Sequence, residues 1–226
     1  MKTKLNLNRL KTLSISFTLL VLVAIGFSSC LKNNNTVTAA SALNVINAAD
    51  TAAAQDFYLD NIKVNSSPLA YTQSTGYLSV SGTHQGQFVT SGTQKVNNSF
   101  NIAFQPGQYY TLFYADDKAV IGALNDRTAP QGVNVRVRFV NMSPALNANV
   151  DFAVTGGTVL AAAVPYETIS SYSETNPVVG FTAKLSSASS ILLTVPPSSF
   201  QPGNIYTVYI SGATLATISA HVVMEN

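Results

Sequence analysis

The stretch NVRVRFVN at residues 134–141 decides the fold of this chain. Its apolar residues alternate with Arg136 and Arg138, and a period of two with one apolar face predicts a half-buried β-strand. A similar apolar segment lies at 42–47. Short strand-forming segments separated by turn residues follow both stretches, and these residue types dominate the composition. The sequence therefore predicts an all-β protein.

The segments around this stretch occur twice. The tetrapeptide FQPG is found at 104–107 and again at 200–203, and a Tyr-Thr pair follows each copy at the same distance. The other matched pairs are Asp56-Phe57 with Asp151-Phe152, Asn47 with Asn141, Tyr71 with Tyr166, and Tyr77 with Tyr172. Such spacing indicates a duplicated unit, and about seven short strands per unit favour a sandwich of the immunoglobulin type. We therefore expect two tandem immunoglobulin-like β-sandwiches, at 42–124 and 133–226, joined by a linker at 125–132.

The first 30 residues have the pattern of a bacterial export signal. Four basic residues precede an apolar run at 13–27, and the small residues Ser28 and Ser29 come directly before Cys30. This ending resembles a lipobox, in which the cysteine is acylated and becomes the new N-terminus. We therefore expect a lipoprotein signal peptide at 1–29, acylation of the cysteine, and a flexible tether at 30–41.

Two alternatives for this segment stay open. The 15-residue run at 13–27 would span roughly 22 Å as a helix, which is short of the ~30 Å hydrocarbon core that a retained membrane anchor would cross. An ordinary signal peptide would instead discard Cys30, and Phe27 stands where lipoboxes usually carry Leu. Acylation of Cys30 is favoured because the cysteine directly follows the small residues of the cleavage pattern.

The chain carries little charge once the signal segment is removed. The full sequence has a formal net charge of +2, but four of its 12 Lys and Arg residues lie in the signal, which leaves eight against ten acidic residues and a net charge of −2. This argues against the basic surface of a nucleic-acid-binding protein. Because Cys30 is the one cysteine of the sequence, no disulfide is expected and the apolar core must stabilise the fold alone.

The sequence offers little for catalysis or metal binding. Its two histidines, His84 and His221, lie outside any nucleophile-elbow pattern, and their separation gives no local metal site. The acidic pair Asp116-Asp117 is typical of a solvated hairpin turn and lacks the spacing of a calcium loop. A carboxylate pair for glycoside hydrolysis would need Glu167 and Glu174, which both lie near turn residues. We therefore expect no enzyme activity, no catalytic residue, no cofactor and no metal site.

The tyrosines are the better candidates for a binding surface, because a ring with a hydroxyl suits contacts that are half apolar and half wet. Those at matched repeat positions are predicted to be core or corner residues: Tyr71 and Tyr166, Tyr77 and Tyr172, and Tyr110 and Tyr206. The others are freer candidates for contact with a ligand: Tyr58, Tyr109, Tyr114 and Tyr209.

Loops are the second kind of candidate surface, because recognition residues commonly lie on loops that a rigid scaffold holds. The longer connections are 65–75 and 91–98 in the first copy and 170–177 in the second, and they are rich in Ser, Thr and Asn. Separately, Asp50-Thr51-Ala52 resembles the three-residue O-glycosylation site of Bacteroidota, which makes Thr51 a candidate for modification.

The motifs resemble a bacterial and archaeal family known as domain of unknown function 4397. The second copy carries the family's opening pattern at 137–144, a strand that ends in Asn before a Ser-Pro turn, and the Asp-apolar strand follows at 150–152. The family's Gly-x-x-Tyr-Thr-Val element is matched at 203–208 and, with a final Leu, at 107–112. The first copy departs from the pattern at 48–50, where Ala-Ala-Asp replaces the turn. The resemblance implies an exported sandwich protein of the kind found as a lipoprotein in Bacteroidota, and it implies no particular activity.

These observations predict a protein of the cell envelope. We expect it to be anchored to the outer membrane through acylated Cys30 and to present a non-enzymatic binding or scaffolding surface to a protein or a glycan. The alternative is an accessory glycan-binding subunit of an outer-membrane nutrient-uptake system. No acidic cluster follows Cys30, which favours the periplasmic face over the cell surface. Neither function involves nucleic acid.

Overall fold

A computed structural model of the chain describes residues 39–146 and 148–226. Within them the backbone forms 17 β-strands, numbered here in chain order, and one short 3-10 helix at Pro197–Ser199. None of these residues belongs to a helix that could cross a membrane. The predicted signal peptide, Cys30 and most of the tether lie outside the described residues, and Ser41, where the predicted tether ends, already begins the first strand.

The first repeat is a sandwich of two four-stranded sheets. Sheet A contains, in spatial order, β4 (Leu78–Val80), β1 (Ser41–Asn47), β7 (Tyr109–Tyr114) and β8 (Val120–Asn125). Sheet B contains β3 (Ile62–Lys63), β2 (Gln55–Leu59), β5 (Gly82–Thr90) and β6 (Val96–Phe104). Strands β1 and β7 are parallel neighbours, whereas the other neighbours are antiparallel. The facing sheets bury one apolar cluster that includes Phe57, Phe88 and Leu112.

The second repeat has the same arrangement. Sheet C contains β12 (Thr168–Ile169), β9 (Val135–Asn141), β16 (Ile205–Ser211) and β17 (Ser219–Met224), and β13 (Ser173–Thr175) also pairs with β9. Sheet D contains β11 (Val159–Val164), β10 (Val150–Val154), β14 (Phe181–Leu185) and β15 (Ile191–Val195). Strands β9 and β16 are parallel, as β1 and β7 are, and the buried cluster includes Phe139, Phe152 and Phe181. The predicted all-β sandwich fold is thus confirmed.

The segment between the repeats is exposed over most of its length. The last strand of the first repeat ends at Asn125 and the first strand of the second begins at Val135. Residues 126–129 and 131–133 are exposed, whereas Asn125 is buried. The repeat boundaries at 42–124 and 133–226, with the linker between them, stay a prediction.

Strand β9 is covered on both faces, so the half-buried strand predicted from its alternation is wrong. Its burial pattern leaves Arg136 as the one residue that is not fully buried, and Arg138 is 3% exposed. One face of the strand contributes Val135, Val137 and Phe139 to the core of the second repeat. The other face lies against sheet A of the first repeat, a cover that the local sequence does not reveal.

The contact between the repeats is partly apolar and joins equivalent residues. Phe113 and Tyr209 each lie three residues after a matched Tyr, and their ring centroids are 5.4 Å apart. Ile46 and Val140, which directly precede the matched Asn residues, belong to the same buried cluster. Contact between equivalent positions is the mark of an isologous interface, so the two repeats meet like the halves of a symmetric dimer.

A buried polar cluster extends this contact along the same strands. The Arg138 guanidinium donates to Glu225 Oε1 at 2.7 Å and, within the second repeat, to Thr207 Oγ1 at 2.8 Å. It also donates to Asn125 Oδ1 at 2.5 Å and to the Leu124 carbonyl at 3.0 Å, both in the first repeat. The side chains of Arg138 and Glu225 are 3% and 1% exposed. A buried charge bonded across the interface fixes one repeat against the other.

Candidate functional site

A small groove lies on the outer face of sheet B. In β2, Phe57 and Leu59 point into the core, so the alternation of the strand turns Tyr58 outward. Tyr58 is paired with Gln87 of β5, which places the two side chains next to each other on that face. The groove has a volume of ≈ 240 Å³. We call it the Tyr58 groove, and it is lined by Tyr58, Asn61, Gln87, Val89, Thr93, Gln94 and Val96.

Two tight turns form the walls of the Tyr58 groove. In the β2–β3 turn, Asp60 and Asn61 have φ values of 49° and 66°, as a two-residue type I′ hairpin turn requires. In the β5–β6 turn, the Thr93 hydroxyl donates to the Thr90 carbonyl at 2.7 Å and accepts from the Lys95 amide at 3.1 Å. These bonds hold the β5–β6 turn, and the Gln85 amide, which donates to Asp60 Oδ1 at 2.8 Å, ties the β2–β3 turn to β5.

The lining of the groove is uncharged and polar, with apolar parts. The Gln87 amide donates to Gln85 Oε1 at 3.4 Å, a long contact that leaves its own carbonyl oxygen available to a ligand. Beside the groove, Lys63 lies 2.7 Å from Asp56. Burial alone would raise the pKa of Asp56, but hydrogen bonds, first from Lys63, outweigh it and lower that pKa. The charge of Lys63 is thus already compensated.

The second repeat does not reproduce this groove. At the positions of Tyr58 and Gln87, sheet D carries Ala153 paired with Thr182, and both residues are buried. Gly156 stands at the place of Asn61. The duplicated scaffold is therefore the same, whereas the outward-facing residues differ between the repeats.

The predicted loop at 65–75 is tied to the scaffold. Asn65 Oδ1 accepts the Phe57 amide at 2.7 Å, and Asn65 Nδ2 donates to the Ser67 carbonyl at 2.7 Å. The loop surrounds a groove of ≈ 320 Å³ that its own residues line. Of the predicted 91–98 loop, only the first half is a turn, because β6 begins at Val96.

The predicted loop at 170–177 is in part a strand, which corrects the sequence interpretation. Ser173–Thr175 form β13, which pairs with β9. The end of the segment borders an apolar groove of ≈ 370 Å³, to which Val133 and Val178 also contribute. A short strand in polar sequence lacks the apolar alternation by which strands are recognised, so the local sequence predicts a loop there.

Two of the four freer tyrosines are core residues, which also corrects the sequence interpretation. Tyr114 and Tyr209 are each 1% exposed, because the inner face of sheet A and the contact between the repeats cover them. Tyr109 is half-buried with the Arg127 guanidinium 4.1 Å from its ring centroid. Tyr58 is half-buried and lines the groove on an outward-facing sheet.

Two of the matched tyrosines, Tyr110 and Tyr206, are corner residues, as predicted, whereas Tyr77 is 38% exposed and the buried Tyr166 hydroxyl has no hydrogen-bond partner among the described residues. The hydroxyls of Tyr110 and Tyr206 accept the backbone amides of Gln105 and Gln201 at 2.9 and 2.8 Å. The equivalent bond in both repeats is that of a tyrosine corner. Tyr172 donates its hydroxyl to Glu225 within the buried polar cluster.

His84 is engaged through both ring nitrogens. Its Nδ1 lies 2.6 Å from Asp60 Oδ2, and its Nε2 lies 2.8 Å from the Ser81 carbonyl. Two oxygen acceptors favour the doubly protonated ring, and the bond to Asp60 raises the pKa of His84. A ring with both nitrogens occupied has no free nitrogen to accept a proton as a general base.

His221 forms a tie between the repeats. Its Nε2 lies 2.9 Å from the hydroxyls of both Tyr71 and Ser219, and its ring stacks on Tyr209 at 4.8 Å. Burial lowers the pKa of His221. The distance between Ser219 Oγ and His221 Nε2 is that of a hydrogen-bonded nucleophile and base. However, the Tyr71 hydroxyl of the first repeat contacts the same His221 nitrogen and also lies 2.9 Å from Ser211 Oγ.

Two of the acidic candidates, Asp116 and Glu174, are used by the fold. Asp116 accepts the backbone amides of Asp50 and Thr51 at 3.1 and 2.8 Å, and Glu174 accepts the Gln131 amide at 2.8 Å. Glu167 is an exposed turn residue with φ 58°. Across residues 39–146 and 148–226, no three His, Cys, Asp or Glu side chains are grouped so that they could hold a metal ion.

Of the two predicted modification sites, Thr51 lies within the described residues. Thr51 is exposed, and its hydroxyl donates to Asp116 Oδ1 at 2.7 Å. Glycosylation of Thr51 would have to replace that hydrogen bond, and it stays a prediction. Cys30 lies outside the described residues, so its acylation also stays a prediction.

The fold and its outer surface define an all-β sandwich protein with two equivalent repeats. The chain belongs to the family described as domain of unknown function (DUF4397), whose sequence model matches residues 41–153. The match begins at the first residue of β1 and extends through the first repeat to β10 of the second. A comparison with curated proteins found no match.

Proposed function

We propose that this protein is a lipid-anchored component of the bacterial envelope that presents a non-enzymatic binding surface. The anchor would be acylated Cys30 in the outer membrane, followed by a tether that separates the sandwiches from the lipid. The export pattern of the first 30 residues supports this location. The presented surface would be the outer face of sheet B, in the first repeat.

The Tyr58 groove carries this proposal. It combines an outward-facing aromatic ring with uncharged polar side chains on a sheet that two hydrogen-bonded turns hold in place. A rigid surface of this kind binds without paying for ordering on contact. The non-enzymatic part rests on His84, whose ring nitrogens are both occupied, and on His221, which ties the repeats together.

A turn-replacement experiment tests the proposal. Residues 91–95 are replaced by a Gly-Ser linker in the acylated full chain, which is then used to capture partners from the native envelope. The matched control is the same replacement at 186–190, the equivalent turn of the second repeat. We expect the first variant to lose captured partners and the control to retain them. Equal capture by both variants would place the binding surface elsewhere.

A further inference from the structure

We propose that the Tyr58 groove binds a neutral carbohydrate. One sugar ring would contact the Tyr58 ring, and its hydroxyls would bond to the amides of Gln87 and Asn61. This inference rests on the proposed function, because it names the ligand class of the same binding surface.

The groove combines apolar and polar groups, as a sugar does. A sugar has apolar C–H faces and hydroxyls that both donate and accept hydrogen bonds. Tyr58 offers a ring and, with the 50% exposed Val96, an apolar contact surface. Each side-chain amide offers two donor hydrogens and an acceptor oxygen, which suits hydroxyl groups in either role. The groove residues Asn61, Gln87 and Gln94 supply three such amides.

The residues that line the groove are all uncharged. A phosphate, carboxylate or ammonium ligand would give up water without gaining an opposite charge there, which is costly. Beside the groove, Lys63 and Asp56 pair with each other, and Asp60 pairs with His84. Lys95, in the turn beside the groove, is exposed and does not line it, so the uncharged lining itself is best matched by a neutral ligand.

The two repeats carry different side chains at the positions that form the groove. The fold does not need an aromatic residue at the position of Tyr58, since Ala153 stands there in the second repeat. The same holds for Gln87 and its counterpart Thr182. Because the scaffold does not demand these side chains, a binding role accounts for the tyrosine and the amides.

The volume limits the ligand. At ≈ 240 Å³ the groove is smaller than the ~300–1,000 Å³ of sites that enclose a drug-sized ligand. It would therefore hold one sugar unit of a longer chain, and affinity would come from repeated units along a polysaccharide.

Affinity electrophoresis tests the inference. The full chain is purified in a polyoxyethylene detergent, because a maltoside would compete for a sugar site. It is run in native gels that contain a galactomannan, a xyloglucan or a mixed-linkage β-glucan, with polygalacturonate as the charged comparison. The variants are Tyr58→Ala and Gln87→Ala, and their matched controls are Tyr109→Ala and Gln201→Ala, which change the same residue types outside the groove.

We expect at least one neutral polysaccharide to retard the wild-type protein and both groove variants to lose about tenfold or more in apparent affinity. Both controls should migrate like the wild type. Gln87→Ala changes a solvent-facing side chain and keeps the test valid if Tyr58→Ala does not fold. Retardation by polygalacturonate alone, by no polysaccharide, or equally in wild type and groove variants would overturn the inference. Partner capture that still depends on 91–95 would then show that the proposed function stands with a different ligand.

Discussion

Replacing Arg138 should lower the free energy of unfolding more than replacing a charged residue at the surface. Arg138→Met removes the guanidinium that bonds to Glu225, Asn125, Leu124 and Thr207 and leaves the Glu225 carboxylate buried without its counter-charge. Breaking one side of a buried ion pair costs about 3–5 kcal/mol. We therefore expect the free energy of unfolding to fall by about that amount.

Urea unfolding followed by circular dichroism measures this loss. With a urea m-value of about 2 kcal/mol/M, the midpoint should fall by about 1.5–2.5 M. The matched control is Arg136→Met, two residues earlier on β9, because its partner Asp126 is 51% exposed. An ion pair at the surface contributes about 0–1 kcal/mol, so this control should shift the midpoint by less than about 0.5 M.

A double variant separates the charge from the packing. In Arg138→Met with Glu225→Leu both charges are gone, and replacement of a buried pair by apolar residues is often neutral. We expect the double variant to recover much of the stability that Arg138→Met loses. The reasoning about the polar cluster fails if Arg138→Met is no less stable than Arg136→Met, or if adding Glu225→Leu only deepens the loss.

The remaining predictions concern the anchor, the linker and the histidines. Cys30→Ala should move the protein from the detergent phase to the aqueous phase or block its processing, and an unmodified N-terminus downstream of Cys30 by mass spectrometry would contradict acylation. Limited proteolysis should cut within 125–132 and give two fragments of similar size. The two fragments should still elute together in gel filtration, because the repeats share a buried contact. Separate elution of the fragments would contradict a stable contact. His84 should titrate by NMR above the ordinary 6.5 and His221 below it. The His84 contribution to stability is therefore present below pH 6.5 and lost as the pH rises through its raised pKa, whereas the His221 contribution is present above pH 6.5 and lost as the pH falls towards its lowered pKa. His84→Gln and His221→Gln should each remove one of these opposite slopes, and unchanged slopes would contradict the assignments.

Local sequence predicted those parts of the fold that local forces determine. The strands Phe181–Leu185 and Ile191–Val195 lie where strand formers stand between turn residues, and the Asp60-Asn61 turn has the positive φ values of its type. The repeat also identified the corner tyrosines, since Tyr110 and Tyr206 make the same bond in both copies. These features depend on neighbours in the chain or on the duplication itself.

The local sequence predicts burial incorrectly where residues distant in the chain cover a side chain. Arg138 alternates with apolar residues as a solvent-facing side chain would, yet the first repeat covers it and supplies two of its acceptors. Tyr209 is buried for the same reason, beside its equivalent Phe113. The sequence anticipates the Tyr58 groove only in part: Tyr58 and the connection at 91–98 are both candidates, but the pairing of β2 with β5 is what brings them together.

The contact between equivalent faces has a consequence for how the two halves can change over time. In a dimer of identical subunits every residue of the interface occurs twice, so each substitution must suit both sides at once. A single chain with two halves is free of that condition. Asn44 and Arg138 occupy the same position, each paired with a matched Thr, but only Arg138 brings a guanidinium to the contact. The second half can therefore specialise in holding the pair together while the outer sheet of the first half acquires side chains for a different task.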